Sequence, residues 1–88
     1  LFEREVDITN KVGLHARPAS LLVEAAHKFR SRIWIEKDGQ VSDGKNIMSL
    51  LLLSADKGSS IKIRAEGSDA AEAVQTLVQL VKNKFGEE

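Results

Sequence analysis

Apolar residues along this chain switch from every second position to every third or fourth and back, and each spacing dictates the element a segment can form. Phe2, Val6 and Ile8 share one side of a strand over residues 2–8, opposite Glu3, Glu5 and Asp7, with Arg4 the exception on the apolar side. Over residues 16–29 the interval lengthens. Ala19, Leu22, Ala26 and Phe29 form a stripe that predicts a helix, with Pro18 in its first turn, where no N–H is needed. Ile33 and Ile35 flank Trp34, and Asp38-Gly39 offers the positive backbone angles of a two-residue turn before residues 40–42, predicting a hairpin. Asn46 is a good N-cap for a second helix over 47–53, stopped by Lys57-Gly58. Ile61, Ile63 and Ala65 alternate with Lys62, Arg64 and Glu66 as a strand with one wet face. Asp69 and Glu72 have capping-box spacing before a last helix that carries Ala70, Ala73, Val74, Leu77 and Val81 on one side, with Gly86 as its stop.

The order β-α-β-β-α-β-α, with short connections and one-sided strands, predicts an α+β two-layer sandwich: a mixed or antiparallel sheet covered on one face by helices. Residue patterning does not fix the strand order. The 88 residues are expected to form one domain, 1–88, because smaller pieces would bury too little core. There is no cysteine, so packing must stabilise the fold without disulfides or thiolate metal sites. No apolar run reaches the 18 to 20 or so residues that cross a bilayer, and no secretory signal is visible, which points to the cytoplasm without membrane insertion. Thirteen basic and thirteen acidic side chains cancel, arguing against a nucleic-acid binder. His15 and His27 stand at opposite ends of one predicted helix, so no metal site or cofactor is expected.

The chemistry concentrates in Gly13-Leu14-His15-Ala16-Arg17-Pro18-Ala19, where a histidine stands at the mouth of a helix. Unpaired amides of Ala16 and Arg17 there would face an anion, aided by roughly half a positive charge at a helix N-terminus. Arg17 adds a guanidinium that can fork onto phosphate oxygens, and Gly13 lets the loop turn. An unprotonated ring nitrogen of His15 is then a nucleophile beside a phosphate cradle. Positioning and charge are most of what phosphoryl transfer requires, so a small domain can carry the group while a larger donor supplies the catalysis.

This segment resembles the active-site signature of the HPr family, the histidine-containing phosphocarriers of the phosphotransferase system. Gly44-Lys45-Asn46-Ile47-Met48 and Ala55-Asp56-Lys57-Gly58 resemble its second landmark, and the likeness covers the whole chain. It implies an open-faced sandwich with a four-stranded antiparallel sheet and three helices, and a monomer that is a carrier rather than a stand-alone enzyme. Enzyme I, itself phosphorylated by phosphoenolpyruvate, would phosphorylate His15, normally at Nδ1, and His15 would pass the group to an EIIA domain for sugar uptake, with Arg17 stabilising the phosphate. Both partners would dock on Ala16, Ser20, Val23, Ile47, Met48 and Leu51, although Val23, Ile47 and Leu51 equally suit ordinary core.

Asn46 stands where many Gram-positive relatives have a regulatory serine. It can cap a helix but cannot accept phosphate, so that regulatory phosphoserine is expected to be absent; Ser42 and Ser49 read as plain surface serines. Glu24, His27 and Ser49 replace lysines common in sugar-branch relatives, and Glu24 together with Asn10-Lys11-Val12-Gly13 resembles the nitrogen-branch carrier NPr, the alternative function. His27 reads as a solvent-facing helix residue. A regulatory module, whose phosphorylation state alters binding to other protein partners, is a further reading that can coexist with carrying.

Overall fold

The computed structural model describes residues 1–87. In chain order it contains strand β1 (Phe2–Asp7), helix α1 (Ala16–Ala26), strands β2 (Arg32–Lys37) and β3 (Gln40–Asp43), helix α2 (Ile47–Leu51), strand β4 (Ser60–Glu66) and helix α3 (Ala70–Lys82), followed by a turn at Lys84–Gly86. The predicted order holds. The strand arrangement, which patterning left open, is β1-β4-β2-β3 with every neighbouring pair antiparallel.

Register turns the alternating sequence into a layer. Ile33 and Ile35 of β2 stand opposite Ala65 and Ile63 of β4, while Val6 of β1 stands opposite Ile61, so one face of the sheet is aliphatic. The helices cover it with Leu22, Leu50, Leu77 and Val81, all fully buried. This burial supplies the main driving force of the fold. The opposite face is polar: Arg64 bridges Glu3 and Glu36 at 2.9 Å each, and Arg32 lies 5.5 Å from the Trp34 ring centroid. The hairpin turn has positive φ at both Asp38 and Gly39, as its sequence predicts. Within edge strand β1, Val6 alone is buried; Phe2 lies at the rim beside Ala71 and Val74 and stays half exposed.

Several boundaries fall short of the sequence reading because the last turns of the helices tighten. The amides of Lys28 and Phe29 bond three residues back, to Ala25 and Ala26, and Lys45 Nζ donates to the Phe29 carbonyl at 2.8 Å, so α1 ends at Ala26 rather than at 29. In the same way the amides of Leu53 and Ser54 bond to Leu50 and Leu51, and Ser54 adopts φ 52, so α2 stops at Leu51 well before Lys57-Gly58. Helix α3 ends at Lys82, and Gly86 closes a separate turn.

The capping box expected at Asp69 is replaced by a tertiary clamp. Asp69 precedes α3 but makes no side-chain cap bond. Its carboxylate instead accepts from the Arg30 amide at 2.9 Å, the Ser31 amide at 3.0 Å and the Ser31 hydroxyl, tying the α1–β2 connection to the start of α3. The Ser31 hydroxyl first, then the Arg30 and Ser31 amides, hold the carboxyl below its ordinary value of 3.8. Because the folded value is depressed, this stabilisation is fully present above pH 3.8 and is lost as pH falls through the folded value. Asp69→Asn, which presents an NH2 to groups that are themselves donors, should be less stable than the parent at pH 7. Urea melts at pH 7 and pH 3 should show that gap closing in acid; a gap independent of pH would refute the clamp.

Candidate functional site

Two loops laced to one another build the site. Between β1 and α1 the chain crosses the α2–β4 connection, and main-chain bonds at 2.8 Å join them: Gly58 N–H to the Ile8 carbonyl, Ile8 N–H to Ser59, and Leu14 N–H to Ala55. Gly13 makes this approach feasible. It has φ +69, and a Cβ built on it would lie 2.6 Å from the Ala55 carbonyl oxygen and 2.7 Å from Asp56 Cα. Asn10, fully buried, donates from Nδ2 to the Gly13 carbonyl at 2.8 Å while its own carbonyl accepts from Gly13 N–H at 3.2 Å. Leu14 then plugs into the core, so the next side chain, His15, must emerge at the surface.

His15 is the N-cap residue of α1, with extended backbone (φ −81, ψ −172), and its exposed ring makes no capping bond. Its carbonyl accepts the Ala19 amide at 2.8 Å. The amides of Ala16 and Arg17 therefore precede the first helical bond and point out of the helix end. Pro18, buried in that first turn, has no N–H to offer, and the turn contains no acidic residue. The exposed Arg17 makes no ion pair among the described residues, so its guanidinium is uncommitted. A depression of about 320 Å³ beside the ring is lined by Leu14, His15 and Ala16 on one side and by Leu51, Ser54, Ala55 and Asp56 on the other. The arrangement can hold an anion on the imidazole while leaving it accessible.

His15, Ala16 and Arg17 stand together at the mouth of α1, as the sequence predicts. Ser54 and Asp56 also line the site, a placement no local pattern in the sequence signals, because the α2–β4 connection folds back over Gly13. Of the expected docking residues, Ala16 and Ser20 are exposed, Met48 is 66 % exposed, and Val23, Ile47 and Leu51 are half-buried and pack on the core; Ala16 and Leu51 line the depression beside His15. Leu52, the residue that follows the end of α2 at Leu51, is 71 % exposed beyond the surface expected from the sequence.

Of the remaining residues some match expectation and others depart from it. His27 is exposed but not idle: its Nε2 lies 3.1 Å from the Lys45 carbonyl, which can only accept, so that nitrogen donates and ties the end of α1 to the start of α2. Asn46 caps α2 as predicted, accepting the Ser49 amide at 3.1 Å. Ser42 is not a plain surface serine; its register opposite Ile35 places it on the inner face, where it is 4 % exposed, and Ser49 is half-buried. Among the described residues no helix is long and apolar enough to cross a membrane.

Fold and site together describe a small domain with a surface histidine at a helix mouth. Residues 2–83 match the family model described as "PTS HPr component phosphorylation site". The phosphocarrier protein HPr of Neisseria meningitidis is 38% identical over 99% of this chain and 98% of its own length; the HPr-like protein Crh of Halalkalibacterium halodurans is 40% identical over 96% and 100%. The crystal structure of HPr-C-His from Thermoanaerobacter tengcongensis superimposes with a TM-score of 0.97 at 48% identity, covering 100% of this chain and 99% of that one. The chain belongs to the HPr family of phosphocarriers of the phosphotransferase system.

Proposed function

We propose that His15 accepts a phosphoryl group from phosphorylated enzyme I and passes it to an EIIA domain, feeding sugar uptake from the cytoplasm. The observation that carries this reading is an exposed imidazole with no capping bond, beside the unpaired amides of Ala16 and Arg17 and an uncommitted guanidinium. A ring nitrogen attacks phosphorus as the donor's bond to that phosphorus breaks; onward transfer reverses the roles, leaving the imidazole neutral again. Residues 1–88 act as one monomeric domain without a cofactor. Met48 anchors the docking surface with Ile47, Leu51, Val23, Ala16 and Ser20, and desolvating such an apolar patch holds the complex while charges steer it. With Asn46 serving as a cap, this chain lacks the regulatory phosphoserine of that position.

The test is incubation with phosphoenolpyruvate, Mg²⁺ and enzyme I, then with EIIA. An acid-labile phosphoryl group should form and then leave for EIIA; no labelling overturns the proposal. Arg17→Ala should slow acceptance about tenfold to hundredfold, the loss expected for charge-assisted bonds to the transferring group, while melting like the parent. Marked unfolding would instead make Arg17 structural.

Glu24, exposed on α1 beside the docking surface, favours a second reading in which a nitrogen-branch enzyme I is the donor. Parallel rates with sugar-branch and nitrogen-branch donors separate the two. Other protein partners that read the phosphorylation state of His15 are compatible with either branch.

A further inference from the structure

Besides its main-chain bonds to the α2–β4 connection, the loop that presents His15 is held from beneath by one buried side-chain amide. Asn10 Nδ2 donates both to the Gly13 carbonyl at 2.8 Å and to Glu87 Oε1 at 3.0 Å, whereas Oδ1 has no partner among the described residues. Both groups facing Nδ2 are oxygens. Exchanging the amide nitrogen and oxygen would set oxygen against oxygen, so these two partners fix the orientation of the side chain. The main-chain carbonyl of Asn10 accepts Gly13 N–H, so Asn10 holds both faces of the turn from which the chain runs through Leu14 to His15.

Glu87 reaches this amide, 77 positions away, by an unfavourable route. After α3, Lys84, Phe85 and Gly86 adopt φ 57, 56 and 77 in succession, and left-handed backbone is costly for the first two. Bonds from Gly86 N–H to Asn83 at 3.0 Å and from Glu87 N–H to Lys84 at 2.8 Å close the turn, and Phe85 is buried at 5 % exposure. Burial of Phe85 accounts for the turn's persistence. It does not account for a carboxylate seated on the amide that orders the histidine loop.

We propose that Glu87 is a positioning residue for phosphoryl transfer: acting through Asn10, its carboxylate sets the Gly13 peptide and thereby the approach of the His15 ring. This rests on the phosphocarrier reading above. Without the Glu87 acceptor, the buried amide would hold an orphaned N–H beside its already orphaned oxygen. An amide in that state relieves itself by turning, and turning breaks its bond to Gly13.

Glu87→Ala and Glu87→Gln, each in the full chain, test this against phosphorylated enzyme I, with kcat and KM measured for the chain as acceptor and the Gly13 and Leu14 amides followed by NMR. Glu87→Ala should lower kcat about threefold to tenfold, the worth of one hydrogen bond, with KM changed by less than about twofold because the docking surface is untouched. Both amide resonances should shift. Glu87→Gln, which keeps an acceptor oxygen at the same reach, should restore most of kcat and return both resonances toward the parent. A parent-like kcat in Glu87→Ala, or a Gln variant as impaired as the Ala variant, overturns the proposal. If the parent itself takes no phosphoryl group, the carrier reading fails instead, and unshifted amides in Glu87→Ala would separately refute the hold on the loop.

Discussion

His15→Ala should take up no phosphoryl group from phosphorylated enzyme I and should fold like the parent. Both halves follow from the same geometry. The imidazole is exposed and makes no capping bond, so its removal leaves no buried group unpartnered and opens no cavity. The backbone at position 15 is ordinary extended chain, which alanine adopts without strain, and the bond from Ala19 N–H goes to the main-chain carbonyl, which remains. Stability should therefore change by no more than about 0.5 kcal/mol. The only other histidine, His27, lies at the C-terminal end of α1, away from the Ala16 and Arg17 amides, so it lacks the anion cradle that a substitute nucleophile would need. Labelling with radioactive phosphoenolpyruvate and a urea melt check the two halves; parent-level acid-labile label in His15→Ala would move the phosphorylation site elsewhere.

What the sequence disclosed and what it withheld divide along the range of the interactions involved. Strand alternation at Ile61 to Ala65, the positive angles of Asp38-Gly39, the Asn46 cap and the placement of His15 at a helix mouth are decided within a few residues, and local reasoning found all of them. Two features depend on contacts between distant segments, and a third on the register of the hairpin. Asp69 has the composition of a capping box, yet its oxygens are drawn to Arg30 and Ser31, which approach only once the sheet has formed. Ser42 looks like a surface residue by composition, but the two-residue turn at Asp38-Gly39 already pairs it with Ile35, so its burial is a local consequence of the hairpin. The far wall of the His15 depression, Ser54 to Asp56, follows from the α2–β4 connection crossing Gly13, which no periodicity encodes. Gly13 is legible in the sequence as a turn residue; its second duty, making room for a crossing chain, is visible only in the fold.

That second duty predicts the largest loss of stability. Gly13→Ala meets two penalties. Left-handed backbone at φ +69 costs a residue with a Cβ about 1 kcal/mol, and the new methyl would lie 2.6 Å from the Ala55 carbonyl oxygen and 2.7 Å from Asp56 Cα. Neither neighbour is a flexible side-chain end, so relief requires moving one main chain away from the other. That movement breaks the 2.8 Å bond between Leu14 N–H and Ala55, worth about 1 kcal/mol, and disturbs Asn10's hold on the turn. The expected destabilisation is about 3 kcal/mol or more, with slower phosphoryl acceptance because His15 lies just beyond the displaced loop. Gly58→Ala separates the two penalties: Gly58 has φ +94, but a Cβ there meets nothing within 4 Å, so this variant bears the backbone strain alone, about 1 kcal/mol. Paired urea melts measure the difference between the variants, which is the cost of prising the crossing chains apart. Equal losses at the two glycines would mean that the crossing yields freely, and the loop could then not hold the imidazole in place.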